Sequence, residues 1–230
     1  MVNNLEGVFM SKLIGKGFIS EAIGVFTLVF IGVGAIIVNQ RTHEIGNFGI
    51  ALAFGLSVTL IISSISKVSG AHLNPIVTLS LCATGKCSSK CAIYYMVAQV
   101  IGACLASAAL YFLFGDLLRF GVTVVSEDLK LIDGFIIELI MSFFLVLTVL
   151  HTANAFIIGI VVFLDAFIGG SLTGASMNPA RSFGPAMVSN HWEYQWLYWI
   201  APLAGAMLAT IVYYLIREKY QNDNQLNPLS

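Results

Sequence analysis

Of the 230 residues, 58% are apolar and only 10% are charged, against about 45–50% and about 25% in an average soluble protein, so water cannot be the main solvent of this surface. A formal net charge of −1, with no clustered basic residues, excludes a phosphate-binding footprint and with it nucleic acid as a partner. The partner that the composition demands is a lipid bilayer.

Six uninterrupted apolar stretches follow one another along the chain, at 17–38, 48–66, 92–115, 134–151, 155–172 and 195–216. Each is close to the 20 or so residues that cross a hydrocarbon core of about 30 Å. They predict an all-α polytopic membrane protein that forms one domain over 1–230, with no room for a separate soluble domain and no binding module in the tails 1–16 and 217–230. The first stretch lacks a small-residue cleavage site and is too long for a signal-peptide core, so it reads as a retained span. Lys12 and Lys16 precede it, Lys67, Lys86 and Lys90 lie between spans two and three, and Arg217 and Lys219 follow span six, whereas the opposite loops hold Arg41, Arg119 and Lys130. That excess predicts both termini in the cytoplasm, and the membrane expected is a plasma or cell inner membrane. Cys82, Cys87, Cys91 and Cys104 fall in or near the cytoplasmic connection and span three, where disulfides are rare. They lack the spacing and companion ligands of a metal site, read as packing residues, and leave neither metal nor cofactor expected.

The chain contains itself twice. A shift of 104 lays Gly70-Ala71-His72-Leu73-Asn74-Pro75 on Gly174-Ala175-Ser176-Met177-Asn178-Pro179, and a shift of 117 lays Glu21 on Glu138 and Phe26 on Phe143. Repeat one spans about 17–115 and repeat two about 134–216, each with three spans and one Asn-Pro segment. An odd number of spans per half sends the second half in from the opposite face, so the repeats are inverted. The apolar stretches after Asn-Pro, 76–82 and 180–188, suffice for half a crossing and predict two re-entrant half-helices. Asn is a good N-cap and Pro is favoured in the first turn, so both half-helices should start there. The preceding stretches 68–73 and 172–177 carry Gly and Ser and read as non-helical. Such backbone at membrane depth is tolerated only beside a wet cavity, and the pattern therefore describes an aqueous path. A secondary transporter shares inverted repeats but needs coupling-ion ligands at mid-membrane, where the Asn-Pro pairs offer neutral donors. The chain has no H-E-x-x-H stretch and no Ser–His pairing of an intramembrane enzyme.

Ser69-Gly70-Ala71-His72-Leu73-Asn74-Pro75 and Gly174-Ala175-Ser176-Met177-Asn178-Pro179-Ala180-Arg181-Ser182-Phe183-Gly184-Pro185, with Glu21 and Glu138 early in each half, closely resemble the aquaporin or major intrinsic protein family over essentially the whole chain. One departure is Ile76, where the family usually has Ala. The resemblance implies a right-handed bundle of six helices and two half-helices, a homotetramer, and one pore in each protomer. It implies that Asn74 and Asn178 donate to a passing oxygen, the alternative being plain helix caps. It also places Arg181, Phe54, Ala166 and Ala175 at a constriction. A charge inside an apolar segment costs at least ~2.5–3.5 kcal/mol at a helix centre, so Arg181 needs a wet or paired site unless it snorkels to the surface.

By the same resemblance Glu21 and Glu138 hold the backbone N–H groups of the re-entrant loops, against a competing proton-coupling role. His72 lines the cytoplasmic vestibule or makes a structural hydrogen bond. Asp165 has no family role; it pairs with Arg181, pairs with a loop, or reaches the interface. His43, His151 and His191 lie in or at loops and read as solvated. The expected function is a passive water channel, not an enzyme, that excludes protons and ions. The alternative is a broader channel for small neutral solutes such as glycerol, urea, ammonia or hydrogen peroxide, since Ala166 and Ala175 are small.

Overall fold

The structure, a computed structural model, describes the backbone of residues 2–226 and the side chains of residues 15–217. Lys12 and Lys219, counted above toward the orientation, lie outside the described side chains. Among the described residues every regular element is helical, with no strand. The helices are α1 (Val2–Thr42), α2 (Gly46–Ser69), α3 (Pro75–Ala83), α4 (Ser89–Phe114), α5 (Leu131–His151), α6 (Ala155–Thr173), α7 (Pro179–Ser189) and α8 (Leu197–Leu226), with a 3₁₀ segment at Gly115–Gly121. Six of them contain stretches long and apolar enough to cross a membrane: Gly15–Thr42, Gly46–Ser69, Ser89–Gly121, Leu131–His151, Ala155–Thr173 and Leu197–Arg217. Less than half of each most apolar window is buried inside the chain. The remainder turns Ile, Leu, Phe and Val outward, among them Phe112, Ile168 and Leu215. Such a surface is stable only in lipid, and the chain is an integral membrane protein.

The two short helices are half-crossings. At 1.5 Å per residue, the nine residues of α3 and eleven of α7 extend roughly 14 and 17 Å, which together match one hydrocarbon core of about 30 Å. Both start at Asn-Pro, as the sequence predicts. The stretch before each is shorter than expected: α2 continues through Val68 and Ser69, and α6 through Leu172 and Thr173. The helices stop one residue later because Gly70 (φ 88°) and Gly174 (φ 81°) take the left-handed conformation and return their N–H to Ser66 and Gly170 carbonyls, the usual glycine cap.

The packing repeats across the two halves. Helix α1 packs on α4 and α2, and α5 packs on α8 and α6; α4 covers α7 while α8 covers α3; α2 crosses α6, and the half-helices touch each other. Exchanging the halves turns this set of neighbours into itself, which is the inverted repeat expressed as contacts.

Glycine sets how closely these helices approach. A Cβ on Gly102 of α4 would meet the carbonyl of Ala22 in α1, and one on Gly205 of α8 would meet the carbonyl of Leu139 in α5. These are equivalent crossings in the two halves. On the central crossing, a Cβ on Gly55 would lie 2.6 Å from the Gly159 carbonyl. Backbone cannot yield as a side chain can.

All four cysteines are free and partly buried, and in the connection before α4 burial, with Cys91 beside it, pushes the Cys87 thiol up to about 12.

These crossings generate a stability prediction. Gly102→Val and Gly205→Val should each cost at least the ~1–3 kcal/mol of overpacking and lower the yield of monodisperse protein on size-exclusion chromatography. Gly34→Ala, whose Cβ would meet only Leu110 at 3.6 Å, should match the parent. Parent-like behaviour of both valine variants would contradict the packing described.

A candidate pore between the half-helices

The re-entrant segments have the same unusual backbone in both halves. Ala71 (φ 50°) and Leu73 (φ 57°) match Ala175 (φ 41°) and Met177 (φ 49°), all in the left-handed region that side chains rarely enter. Two buried carboxylates hold this backbone in place. Glu21, fully buried, accepts from the N–H of His72 (2.9 Å) and Leu73 (2.7 Å), from Ser69 Oγ (2.7 Å) and from Gln99 Nε2 (2.8 Å). Glu138, also fully buried, accepts from the N–H of Ser176 (2.8 Å) and Met177 (2.9 Å) and from Thr173 Oγ1 (2.7 Å). Each carboxylate thus receives two consecutive backbone N–H groups of its own re-entrant segment. Hydrogen bonds to a charged acceptor are about twice as strong as neutral ones, which offsets both the left-handed strain and the burial of the charge.

The two Asn-Pro motifs are tied to each other. Asn74 Nδ2 donates to the Met177 carbonyl at 2.7 Å, and Asn178 Nδ2 donates to the Leu73 carbonyl at 2.8 Å. Each Asn Oδ1 caps its own half-helix, accepting from Ile76 N (3.1 Å) in one and from Ala180 N (3.1 Å) and Arg181 N (3.3 Å) in the other. An amide nitrogen carries two hydrogens, so these bonds leave one N–H on each Asn for a molecule in the lumen. The two readings of these residues, cap and donor, are therefore compatible. Pro75 and Pro179 fill the first helical position of α3 and α7. Ile76 is 1% exposed and packs with Val146, Leu150 and Ala206 of α5 and α8; it lines neither cavity described below.

Two cavities meet here. A long one of about 330 Å³ runs past Asn74 and Asn178 to Lys86, Thr152 and Ala153, with Gly70, Ala71 and His72 along it. Val58, Ile62, Leu145, Val149, Ile158 and Val162 line it as well, so the lining combines the re-entrant segments and Asn amides with hydrocarbon side chains. A second cavity of about 530 Å³ opens beyond, beside Asn39, Asn47, Phe120, Glu127 and Gly174. The residues common to both linings are Phe54, Ala166, Ala175 and Arg181. These are the four positions the family resemblance singled out, and the structure brings them together at the neck between the cavities.

Arg181 is 2% exposed and does not snorkel. Its Nη1 donates to the Gly121 carbonyl at 2.8 Å, its guanidinium lies 5.3 Å from the centre of the Phe54 ring, and its Nε has no hydrogen-bond partner. Asp165 does not pair with it: the Oδ2 of Asp165 is buried without a partner, and the residue lines neither cavity. Turning Ala166 into the lumen rotates its neighbour by about 100°, onto the flank that Asp165 shares with Gly169, four residues on. Gly169 lies against Met141 of α5.

His72 satisfies both of its readings, lining the long cavity while its Nδ1 lies 3.3 Å from Thr78 Oγ1 and its ring meets Tyr95 edge-on. His43, His151 and His191 are exposed, as expected. Sequence reasoning did not find the Gly121 carbonyl, because a backbone acceptor in an irregular loop has no residue-type signature. It used Lys86 only for orientation, yet Lys86 lines the far mouth of the long cavity and donates to the Leu150 carbonyl at 3.0 Å.

If the carboxylates hold the re-entrant backbone, Glu21→Leu and Glu138→Leu should each destabilise the protein severely. Each hydrogen bond to a charged group is worth about 1.5–3 kcal/mol. Thermal unfolding in detergent should show a lowered midpoint for both variants, and an unchanged midpoint would contradict the role.

A sequence model described as the major intrinsic protein family matches residues 9–213. The chain is 36% identical over 220 residues to nodulin-26 of Glycine max, covering 91% of this chain and 79% of that protein. It is 34% identical over 216 residues to aquaporin-4 of Mus musculus, covering 86% of this chain and 66% of that protein. Among solved structures it resembles the aquaglyceroporin from Plasmodium falciparum with a TM-score of 0.78 at 25% identity, covering 87% of this chain and 95% of that one. With its six spans, paired half-helices and two joined cavities, this chain belongs to the major intrinsic protein family of membrane channels.

Proposed function

We propose that this protein is a passive channel whose main permeant is water and which excludes protons and other ions at the Asn-Pro pair and at the Arg181 neck. The observation that carries this reading is the neck itself: Phe54, Ala166, Ala175 and Arg181 line both cavities. Every permeant must pass these four side chains. The guanidinium is permanently charged, and no acid among the described residues is hydrogen-bonded to it, so a cation at the neck meets a positive charge that no direct ion pair neutralises. Further along, the N-termini of α3 and α7 direct the positive ends of their dipoles to the lumen, beside the second N–H of each Asn amide. A water that accepts from both Asn amides points its hydrogens outward in both directions. That orientation interrupts the hydrogen-bonded chain along which protons hop, the general logic of aquaporin-type pores.

The channel is a homotetramer in this reading, each protomer with its own pore, inserted with both termini cytoplasmic in a plasma or cell inner membrane. The Lys and Arg distribution supports the orientation, and the broad outward apolar faces are compatible with lipid on some sides and neighbouring protomers on others.

A second reading is favoured by one specific observation. Two of the four neck residues are Ala, so hydrocarbon and small side chains face Arg181, and a small neutral solute such as glycerol, urea, ammonia or hydrogen peroxide has room that a bulkier ring would fill. Ser182 directly follows Arg181, where glycerol-conducting relatives usually carry Asp, and this supports water as the main permeant.

Stopped-flow light scattering of reconstituted liposomes under impermeant and glycerol gradients separates the two. Fast water-driven shrinkage with little glycerol entry is the expected result, and comparable glycerol entry would establish the broader channel instead. Arg181→Val should raise the glycerol-to-water ratio, and water flux no faster than in empty liposomes would overturn both readings.

A further inference from the structure

The 3₁₀ segment packs on the half-helix α7, and from its last residue a loop, 121–126, leads toward α5. Three contacts tie it down. The Gly121 carbonyl accepts from Arg181 Nη1 at 2.8 Å, Thr123 Oγ1 donates to Ser182 Oγ at 2.7 Å, and Ser126 N donates to the Leu172 carbonyl at 2.8 Å. A Cβ on Gly174 would lie 3.0 Å from Thr123, so the loop is also seated on the re-entrant segment.

The Thr123 bond is the first link of a chain. Ser182 Oγ lies 2.5 Å from Ser176 Oγ, and Ser176 Oγ donates to the Asn178 carbonyl at 3.0 Å. A hydroxyl has one hydrogen. Because Ser176 spends its own on Asn178, Ser182 must donate to Ser176, and Thr123 must donate to Ser182. The direction of all three bonds is therefore fixed, and Thr123, Ser176 and Ser182 are all buried. The first repeat fills the equivalent station differently: Thr78, which matches Ser182 under the shift of 104, accepts from Gln99 Nε2 of α4 at 3.0 Å. In the second repeat alone, a loop supplies the donor, and this same loop carries the carbonyl that holds the neck arginine.

We infer that Thr123 is a positioning residue for solute selection: by anchoring the 121–126 loop to Ser182, it holds the Gly121 carbonyl where it fixes the guanidinium of Arg181. The inference rests on the reading of Arg181 as the neck that selects solutes. Arg181 Nε has no partner, so the Gly121 carbonyl is the described hydrogen bond that restrains the guanidinium, and Thr123 stands two residues away from it.

The test measures the glycerol-to-water permeability ratio in liposomes for the parent, Thr123→Val, Thr123→Ser, Ser182→Ala, Arg181→Val and the Thr123→Val/Arg181→Val double variant. Thr123→Val should raise the ratio about threefold to tenfold, the range set by the loss of one buried hydrogen bond. Thr123→Ser, which keeps the hydroxyl, should restore the parent ratio, and Ser182→Ala should reproduce the valine variant from the other side of the bond. Should Thr123→Val fail to yield monodisperse protein, Ser182→Ala carries the test. In the Arg181→Val background, Thr123→Val should change the ratio no further, because residues acting through one another are not additive. A parent ratio in both folded hydroxyl-deletion variants, or an equal further change in the Arg181→Val background, would overturn the inference while leaving the neck intact. A parent ratio in Arg181→Val would overturn the reading of the neck itself, and this inference with it.

Discussion

In a bilayer, every backbone N–H and C=O must find a partner within the protein or in water, and the whole arrangement depends on how two broken helices meet that demand. A helix interrupted at mid-membrane exposes donors at one end and acceptors at the other, each costing several kcal/mol if left bare in hydrocarbon. Here Glu21 and Glu138 take the N–H groups of the residues just before each Asn, and each Asn amide takes the carbonyl just before the other. Further back, Gly70, Ala71 and His72 border the long cavity, the setting in which water can satisfy such backbone. Scaffold and proposed function thus share one set of bonds: the groups that the break leaves over are those that the proposed pore offers to a passing molecule.

The inverted repeat provides the crossed Asn bonds almost for nothing, since a contact across the pseudo-twofold axis is made twice. Selection requires that the symmetry be broken, and the breaks are specific. Arg181 matches Val77 under the shift of 104, so the half-helix of one repeat presents a fixed charge and that of the other a hydrocarbon side chain. Gln99 supports the first carboxylate and the first half-helix together, whereas the second half-helix is supported from the loop after the 3₁₀ segment. Ile76 enlarges the first motif without narrowing the lumen, because the second residue of a half-helix that starts at Pro75 faces α5 and α8.

Much of this was legible in the sequence because bilayer physics is repetitive. Spans of fixed length, Asn-Pro caps and a self-match at a fixed shift all have residue-type signatures, and the elements they predicted are in place. The neck was reached by resemblance, and its four positions converge only in three dimensions. What remained hidden has physical reasons. The helices α2 and α6 run through residues 68–69 and 172–173 because a left-handed glycine, rather than composition, decides the stop. The Gly121 carbonyl and the Thr123 hydroxyl belong to an irregular loop, where neither period nor motif predicts which atom meets which. Asp165 was recognisable as an oddity, but the helical rotation that turns it from the lumen becomes definite only once Ala166 is known to face inward.

The central claim is that the paired amides pass water while interrupting the path of protons. The most direct test measures both fluxes in the same liposomes: osmotic water permeability by light scattering, and proton entry from a trapped pH-sensitive dye under a pH gradient, with valinomycin and potassium clamping the voltage. The account predicts water permeability that rises with the amount of protein while proton entry stays at the level of empty liposomes. Proton entry that rises in step with water permeability would contradict it.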